Sequence, residues 1–303
     1  MMLELDEKKI RKGKPVGLPY QGSKKKISKK IVEIIKQNFG TEKPVYDIFG
    51  GGGAITAECL LNGLEVHYND LDETVTSMFQ KVVSEDRDYL KTLIVSRDEF
   101  FRIREKENKT VDDELKLLVN SFGNNRKNYL YSEEFSDLKH NLVTEIIKNH
   151  DTFDGYRKTE TYLEAKDIFK GQTYKKTQPH TMDRLQQMQR LQQLERLQQL
   201  PHIEVTNLDY TEFSGLEDAV LYLDPPYQNA TLDSYSISEF DNQSFYDWAY
   251  EMSKKNAVLI SSYEIPDERF GCVYEFKKVR STYSPGPKGE RTEKLFMVKK
   301  GVK

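Results

Sequence analysis

Apolar and polar positions along the chain follow two patterns. Short apolar runs rich in β-branched and aromatic residues lie at Val45 to Phe49, Leu64 to Tyr68, His202 to Asn207, Ala219 to Leu223 and Ala257 to Ser262. Their length and composition predict strands. Between them stand segments of helical period: Lys29 to Phe39, with Ile31, Ile34 and Ile35 on one face, then Ala54 to Leu61, then Ser244 to Lys255. Ser28 and Ser244 are read as helix caps. Near the end, Cys272 to Phe276 and Lys294 to Val298 predict an antiparallel pair. Alternating strands and helices imply an α/β fold around a doubly wound sheet. From Glu73 to about Gln178 the alternation stops, and the chain reads as polar, charged and mostly helical with no evident strand.

Residues 184–200 follow a different rule. A six-residue repeat places Leu or Met at 185, 188, 191, 194, 197 and 200, with glutamines between them. On a helix turning ~100° per residue, a three-residue step advances about 300°. Successive apolar side chains therefore walk round the cylinder. The segment is expected to be either a helix contacted on several sides or an irregular, solenoid-like stretch, and its role is not legible from the sequence.

The length of 303 residues suits one large domain or two smaller ones. With 31% charged residues and no apolar run approaching the ~18 residues of a membrane span, the chain reads as soluble and cytoplasmic. The charged stretch Met1 to Ile10 has no apolar signal core. Two isolated cysteines, Cys59 and Cys272, form no metal or redox motif. Net charge is only −3, yet residues 8–30 carry ten Lys/Arg and no acid, and Lys277 to Lys303 carry nine Lys/Arg against Glu290 and Glu293. Such ends could form a phosphate-binding face or a solvated surface.

Chemistry gathers at the predicted strand ends, where open α/β sheets bind ligands. The first strand runs into Gly50 to Gly53 and then a helix. Glycines let the backbone approach a ligand, and the helix start offers free N–H groups. No Gly-Lys-Ser/Thr follows, so this is not a P-loop. The second strand ends at Asp70, about 20 residues on, where a ribose diol is commonly held. A later strand leads to Asp209-Tyr210. The strand Ala219 to Leu223 ends in Asp224-Pro225-Pro226-Tyr227, where two prolines halt the ladder and stiffen the turn. An acid, a rigid turn and an aromatic ring make a site. In the middle region, Val119-Asn120-Ser121-Phe122-Gly123-Asn124-Asn125-Arg126-Lys127-Asn128-Tyr129-Leu130-Tyr131 interleaves Asn, Arg and Lys with Phe and Tyr, groups suited to base edges and stacking, although a turn-rich surface loop has the same composition.

In this order and spacing, Pro19-Tyr20-Gln21-Gly22-Ser23-Lys24, Asp47-Ile48-Phe49 with its glycines, Asp70 and Asp224-Pro225-Pro226-Tyr227 resemble the Dam-type (D12 class) adenine-specific DNA methyltransferases. The resemblance implies a Rossmann-like methyltransferase sheet formed by residues 15–72 and 201–303, with a mainly helical target-recognition region inserted at 73–200. It implies S-adenosyl-methionine as cofactor, adenine in double-stranded DNA as acceptor, no metal, a bacterial or phage origin and a role in restriction-modification. Whether a paired restriction endonuclease exists, which sequence is read and how many copies assemble all stay open.

Residue by residue, Tyr20, Lys24, Asp47, Phe49, Gly51, Gly53, Asp70, Asp209, Tyr210 and Asp224 would form the cofactor side. Asp224, Pro225, Pro226 and Tyr227 would form the catalytic turn, with the Asp224 carboxylate and the Pro225 carbonyl accepting from the adenine amine and Tyr227 stacking on the flipped base. Phe122, Asn124, Asn125, Arg126 and Lys127 would face DNA. Cytosine-carbon methylation, which needs a thiolate usually placed after proline, is disfavoured because Cys59 follows Glu58 and Cys272 follows Gly271. The alternatives are an amino-group methylase acting on RNA or a protein glutamine, and a catalytically dead DNA-binding scaffold.

Overall fold

The computed structural model describes residues 2–20, 22–171, 185–226, 240–276, 292–299 and 301. The chain divides into two compact units. The first comprises Met1–Val16, Ser23–Thr76 and Pro201–Lys303; the second comprises Gly17–Gly22 and Ser77–Leu200.

In the first unit, seven strands among the described residues form one sheet: β1 (Val45–Asp47), β2 (Val66–Asn69), β3 (Val205–Thr206), β4 (Val220–Leu223), β5 (Ala257–Ser262), β6 (Phe270–Glu275) and β7 (Lys294–Val298). Their order is β3-β2-β1-β4-β5-β7-β6. Strands β1 to β5 run parallel, and β7 is antiparallel to both β5 and β6. The sheet is therefore a doubly wound, Rossmann-like one. Winding reverses between β1 and β4, and Asp47 sits level with Tyr68 on one side and Tyr222 on the other. The carboxyl ends of three strands thus finish together at the switch point, the place where such sheets bind ligands.

All four residues of β4 are buried, as befits a central strand covered on both faces. Leu221, Leu223, Val258 and Ile260 pack with Phe245, Ala249 and Met252 of a C-terminal helix, Asn242–Met252. That helix is capped by Asp241, whose carboxylate accepts from the Gln243 and Ser244 N–H groups, so Ser244 is not its cap. Helices α1 (Ser28–Phe39) and α2 (Ala54–Leu61) precede β1 and β2. Ser28 is the first helical residue and its hydroxyl donates to the Lys25 carbonyl, so it does not cap α1 either. Of the strand expected at His202 to Asn207, only Val205–Thr206 pairs. It is the outermost strand, bonded on one side alone, and the chain then turns away to meet the Asn69 side chain.

The second unit is helical, with α3 (Glu73–Ser84) leading into it, followed by α4 (Arg87–Lys91), α5 (Arg97–Arg104), α6 (Val111–Asn120), α7 (Glu133–His150), α8 (Glu160–Gly171) and α9 (Gln186–Gln198). The Leu/Gln repeat is helix α9. Leu185, Met188, Leu191, Leu194 and Leu197 are all 0% exposed, as their walk round the cylinder requires of a helix enclosed on several sides. The glutamines supply amide donors to neighbouring loops: Gln198 Nε2 donates to the Glu85 and Asp86 carbonyls and Gln192 Nε2 to that of Phe153. No helix among the described residues is long and apolar enough to cross a membrane.

Candidate active site

Side chains align the strand ends at the switch point. Asn69, at the end of β2, is buried. Its amide donates to the carbonyls of Ile48 and Leu208 at 3.0 and 2.9 Å, and its oxygen accepts from the Thr206 hydroxyl and the Leu208 N–H, both at 2.9 Å. One residue thereby ties the ends of β1, β2 and β3. The glycine loop is held from the same side. The Gly50 N–H donates to the Asn69 carbonyl at 2.8 Å, and the Tyr68 hydroxyl donates to the Gly51 carbonyl at 2.7 Å. Gly51 and Gly53 adopt φ of 48° and 69°, the left-handed region that glycine enters without strain. A Cβ on Gly50 would lie 2.4 Å from the Tyr68 ring. That glycine is required by the protein's own packing, whereas the sequence suggested only ligand approach.

Asp70 stands beside this loop. Its Oδ2 accepts from the Gly51 N–H at 2.7 Å and its Oδ1 from the Asp72 N–H at 2.9 Å. Burial raises its pKa to about 6, against the lowering effect of those two N–H donors. Asp47 is placed differently from its expected cofactor role. It is 1% exposed, and its carboxylate is engaged by the protein itself. Its Oδ2 accepts from the Thr56 N–H at 3.0 Å and the Thr56 hydroxyl at 2.6 Å, closing the glycine loop against α2. Burial pushes its pKa up to about 7; the Thr56 bonds oppose this, and the nearby Asp224 and Asp70 charges add to it.

Asp224 follows the last residue of β4, with Pro225 buried and Pro226 half-buried behind it. Lys24, expected at the cofactor, has its ammonium 2.8 Å from Asp224 Oδ2 and 3.8 Å from Glu293 Oε2. Glu293 escaped the sequence reading. The available signal was an acid interrupting a basic tail just before a strand. Burial, then the Asp224 charge, pushes the Tyr222 hydroxyl well above its ordinary range, so it stays protonated. Tyr227 lies outside the described residues, as does most of the basic C-terminal tail.

Phe49 and Tyr210 are brought together, ring centroids 6.1 Å apart, in a cluster with Phe240, Phe245 and Trp248. The last two come from the helix Asn242–Met252 and were not anticipated. Asp209 is committed to a local turn, its Oδ1 accepting from the Thr211 N–H and hydroxyl at 2.9 and 2.6 Å. Tyr20 belongs to the 17–22 segment of the second unit and is half-buried. Several cations of the basic N-terminal run are engaged within the chain: Arg11 grips Glu58 through two 2.8 Å bonds, Lys30 pairs with Glu7 at 2.7 Å, and Lys29 Nζ donates to the Gly13 carbonyl at 2.9 Å.

In the second unit, residues 121–131 form a tight hairpin. The Phe122 N–H donates to the Asn128 carbonyl at 2.7 Å, and Ser121 bridges Tyr129. Phe122 is 53% exposed, while Tyr129 and Tyr131 are buried in the core and cannot stack on a base. Arg126, expected to face DNA, pairs with Glu114 at 2.8 Å. The Asn125 side chain accepts from the Lys127 and Asn128 N–H groups and shapes the turn, Asn124 holds φ of 59°, and Lys127 is exposed. Phe122 and Lys127 are thus the expected contact residues that the hairpin presents outward.

Arg190 of α9 supports this hairpin from below. It is buried with no acidic partner among the described residues, and its Nη1 donates to the Leu118 and Val119 carbonyls at 2.7 and 2.8 Å, closing the end of α6. Gln187, one turn earlier, donates to Asn120 Oδ1 at 2.6 Å.

No curated protein matches this sequence. Among solved structures the chain is similar to the rRNA methyltransferase aviRa from Streptomyces viridochromogenes, with 14% identity over 88% of this chain and 83% of that one and a TM-score of 0.34, a likeness too loose to bear on the chemistry. The family model of the D12 class N6 adenine-specific DNA methyltransferases matches residues 20–283. Spanning most of the sequence, from the residue before Gln21 through the Asp224 turn, that match makes the chain a member of the D12 class of N6 adenine-specific DNA methyltransferases.

Proposed function

We propose that this protein transfers a methyl group from S-adenosyl-methionine to the exocyclic N6 amine of adenine in duplex DNA, at a defined sequence. The observation that carries the reading is the position of Asp224: at the carboxyl end of β4, one strand from the Gly50–Gly53 loop, at the sheet's switch point. The donor set suits a nucleoside cofactor. Asp70 uses one acceptor position on each oxygen for backbone N–H groups, and an ionised carboxylate has further lone pairs for a ribose diol. The left-handed Gly51 and Gly53 keep that side of the loop free of side chains.

S-adenosyl-methionine supplies an electrophilic sulfonium methyl. The protein's task is to make a poor nucleophile competent, because adenine's amine lone pair is delocalised into the ring. Asp224 and the Pro225 carbonyl accept hydrogen bonds from that amine, favour a pyramidal nitrogen and stabilise the positive charge it acquires. The two prolines keep both acceptors fixed, so little reorganisation accompanies transfer. The base reaches them only after leaving the stack. Target reading is assigned to the second unit, where the 121–131 hairpin presents Phe122 and Lys127.

The test supplies purified protein with methyl-labelled S-adenosyl-methionine and, separately, genomic DNA, total RNA and a glutamine-containing peptide. The reading expects label as N6-methyladenine in DNA, confined to one short sequence context. Label in RNA or peptide, or in none of the three, refutes it.

A further inference from the structure

Four stretches of the first unit meet behind Asp224. Lys24 comes from the turn after Ser23, Asp224 from the end of β4, Glu293 from the residue before β7, and Ser261 from the core strand β5. The Lys24 ammonium stands 2.8 Å from Asp224 Oδ2 and 3.8 Å from Glu293 Oε2. The Ser261 hydroxyl donates to the other oxygen of Glu293, Oε1, at 2.8 Å. The side chains of Lys24, Asp224 and Glu293 are only 10%, 18% and 14% exposed, so solvent screens them weakly.

This arrangement conflicts with the task just assigned to Asp224. An ammonium offers its N–H donors to Asp224 Oδ2, on the carboxylate that the adenine amine would use. It also places a positive charge beside a nitrogen that becomes positive during transfer. Glu293 brings a second carboxylate within reach of the Lys24 ammonium. Oε2 of Glu293 lies about 1 Å beyond hydrogen-bonding distance of the ammonium, a gap that rotation of a lysine side chain closes without backbone movement. Ser261, on a buried strand, fixes Oε1 and so keeps Oε2 turned toward Lys24.

We propose that Glu293, oriented by Ser261, is a positioning residue for methyl transfer: it receives the Lys24 ammonium when the acceptor amine binds Asp224, clearing that carboxylate and drawing the cation off the reacting nitrogen. This rests on the reading of Asp224 as the amine's acceptor. It gives Lys24 the role of a placeholder, holding in the resting protein the position that the amine later takes.

The experiment measures single-turnover methyl transfer to adenine-containing duplex DNA, with S-adenosyl-methionine affinity measured calorimetrically on the same preparations. Glu293→Gln preserves shape and removes the receiving charge. Transfer is expected to slow about tenfold or more, as for loss of a hydrogen bond to a charged group, while cofactor affinity changes less than about twofold. Glu293→Asp should recover part of the rate. The decisive variant is Lys24→Met with Glu293→Gln. If the stranded ammonium blocks Asp224, removing it makes the double variant faster than Glu293→Gln alone, a non-additivity that a packing role does not produce. Losses that multiply, or a Glu293→Gln variant as fast as the parent, overturn the proposal. Should Glu293→Gln fail to fold, Ser261→Ala keeps every charge and is expected to slow transfer in the same direction; an unchanged rate there overturns it equally. A parent protein that methylates no adenine refutes the proposed function instead.

Discussion

Asp47 offers a quantitative test of how the glycine loop is held. Its carboxylate is buried against Thr56, and its pKa is raised from 3.8 to about 7, chiefly by burial. Asp47→Asn keeps an oxygen for both Thr56 bonds and removes the ionisation. A shift of about three units corresponds to about 4 kcal/mol between the protonated and ionised forms in the folded chain. The sign follows from proton binding. The folded protein holds this proton more tightly than the unfolded chain, so the group's contribution is complete below about pH 4 and is lost as pH rises through about 7. Between about pH 5 and pH 8 the parent should therefore lose about 2 to 3 kcal/mol of stability relative to Asp47→Asn. Asp70 titrates in the same direction in both proteins, and its charge is the last-named cause of the Asp47 shift, so the difference reports chiefly on Asp47. Urea unfolding of both proteins at the two pH values measures it. Parallel pH dependences would show that Asp47 is ionised throughout and that the closure of the loop is misread.

Three further outcomes are expected. Gly50→Ala drives a Cβ into the Tyr68 ring, which is buried and bonded to Gly51, and should cost about 1 to 3 kcal/mol in urea unfolding while weakening cofactor binding. With Asp70 ionising near pH 6, S-adenosyl-methionine affinity should be full above that pH and fall by about tenfold per unit well below it, and Asp70→Asn should abolish this slope. Arg190→Leu removes the buried Arg190 donor from the Leu118 and Val119 carbonyls, leaving Leu118 only the long Ser121 hydroxyl bond, and should destabilise the protein by about 2 to 4 kcal/mol; calorimetric melting checks the stability, and target discrimination should suffer more than cofactor affinity.

What the sequence made legible has a common physical basis. Apolar runs such as Val220–Leu223 are central strands with no polar face, and the breaks after them, glycines in one case and prolines in another, are local backbone chemistry that needs no tertiary context. The D12 motifs sit at those breaks. The rest depended on neighbours far along the chain. Ser28 resembles a cap, but the preceding turn takes its hydroxyl. Tyr129 and Tyr131 have the composition of a stacking surface, yet the hairpin folds them into the core and leaves Phe122 outside. Arg126 finds Glu114, one helix away. Glu293 is separated from Lys24 by most of the chain and could not be paired with it from spacing. The repeat in α9 was periodic enough to predict an enclosed helix as one of two outcomes, but what encloses it is set by α4, α6 and the loops its glutamines reach.

The central claim is that the Asp224 turn is where the acceptor amine is held. The most direct measurement is single-turnover methyl transfer to duplex DNA by the parent and by Asp224→Ala, with S-adenosyl-methionine affinity and thermal unfolding followed on the same samples. Loss of an electrostatic group acting on the transition state should slow transfer by at least about 100-fold, with the fold intact and the cofactor still bound. An Asp224→Ala variant that folds, binds cofactor and keeps most of the parent's rate would contradict the account.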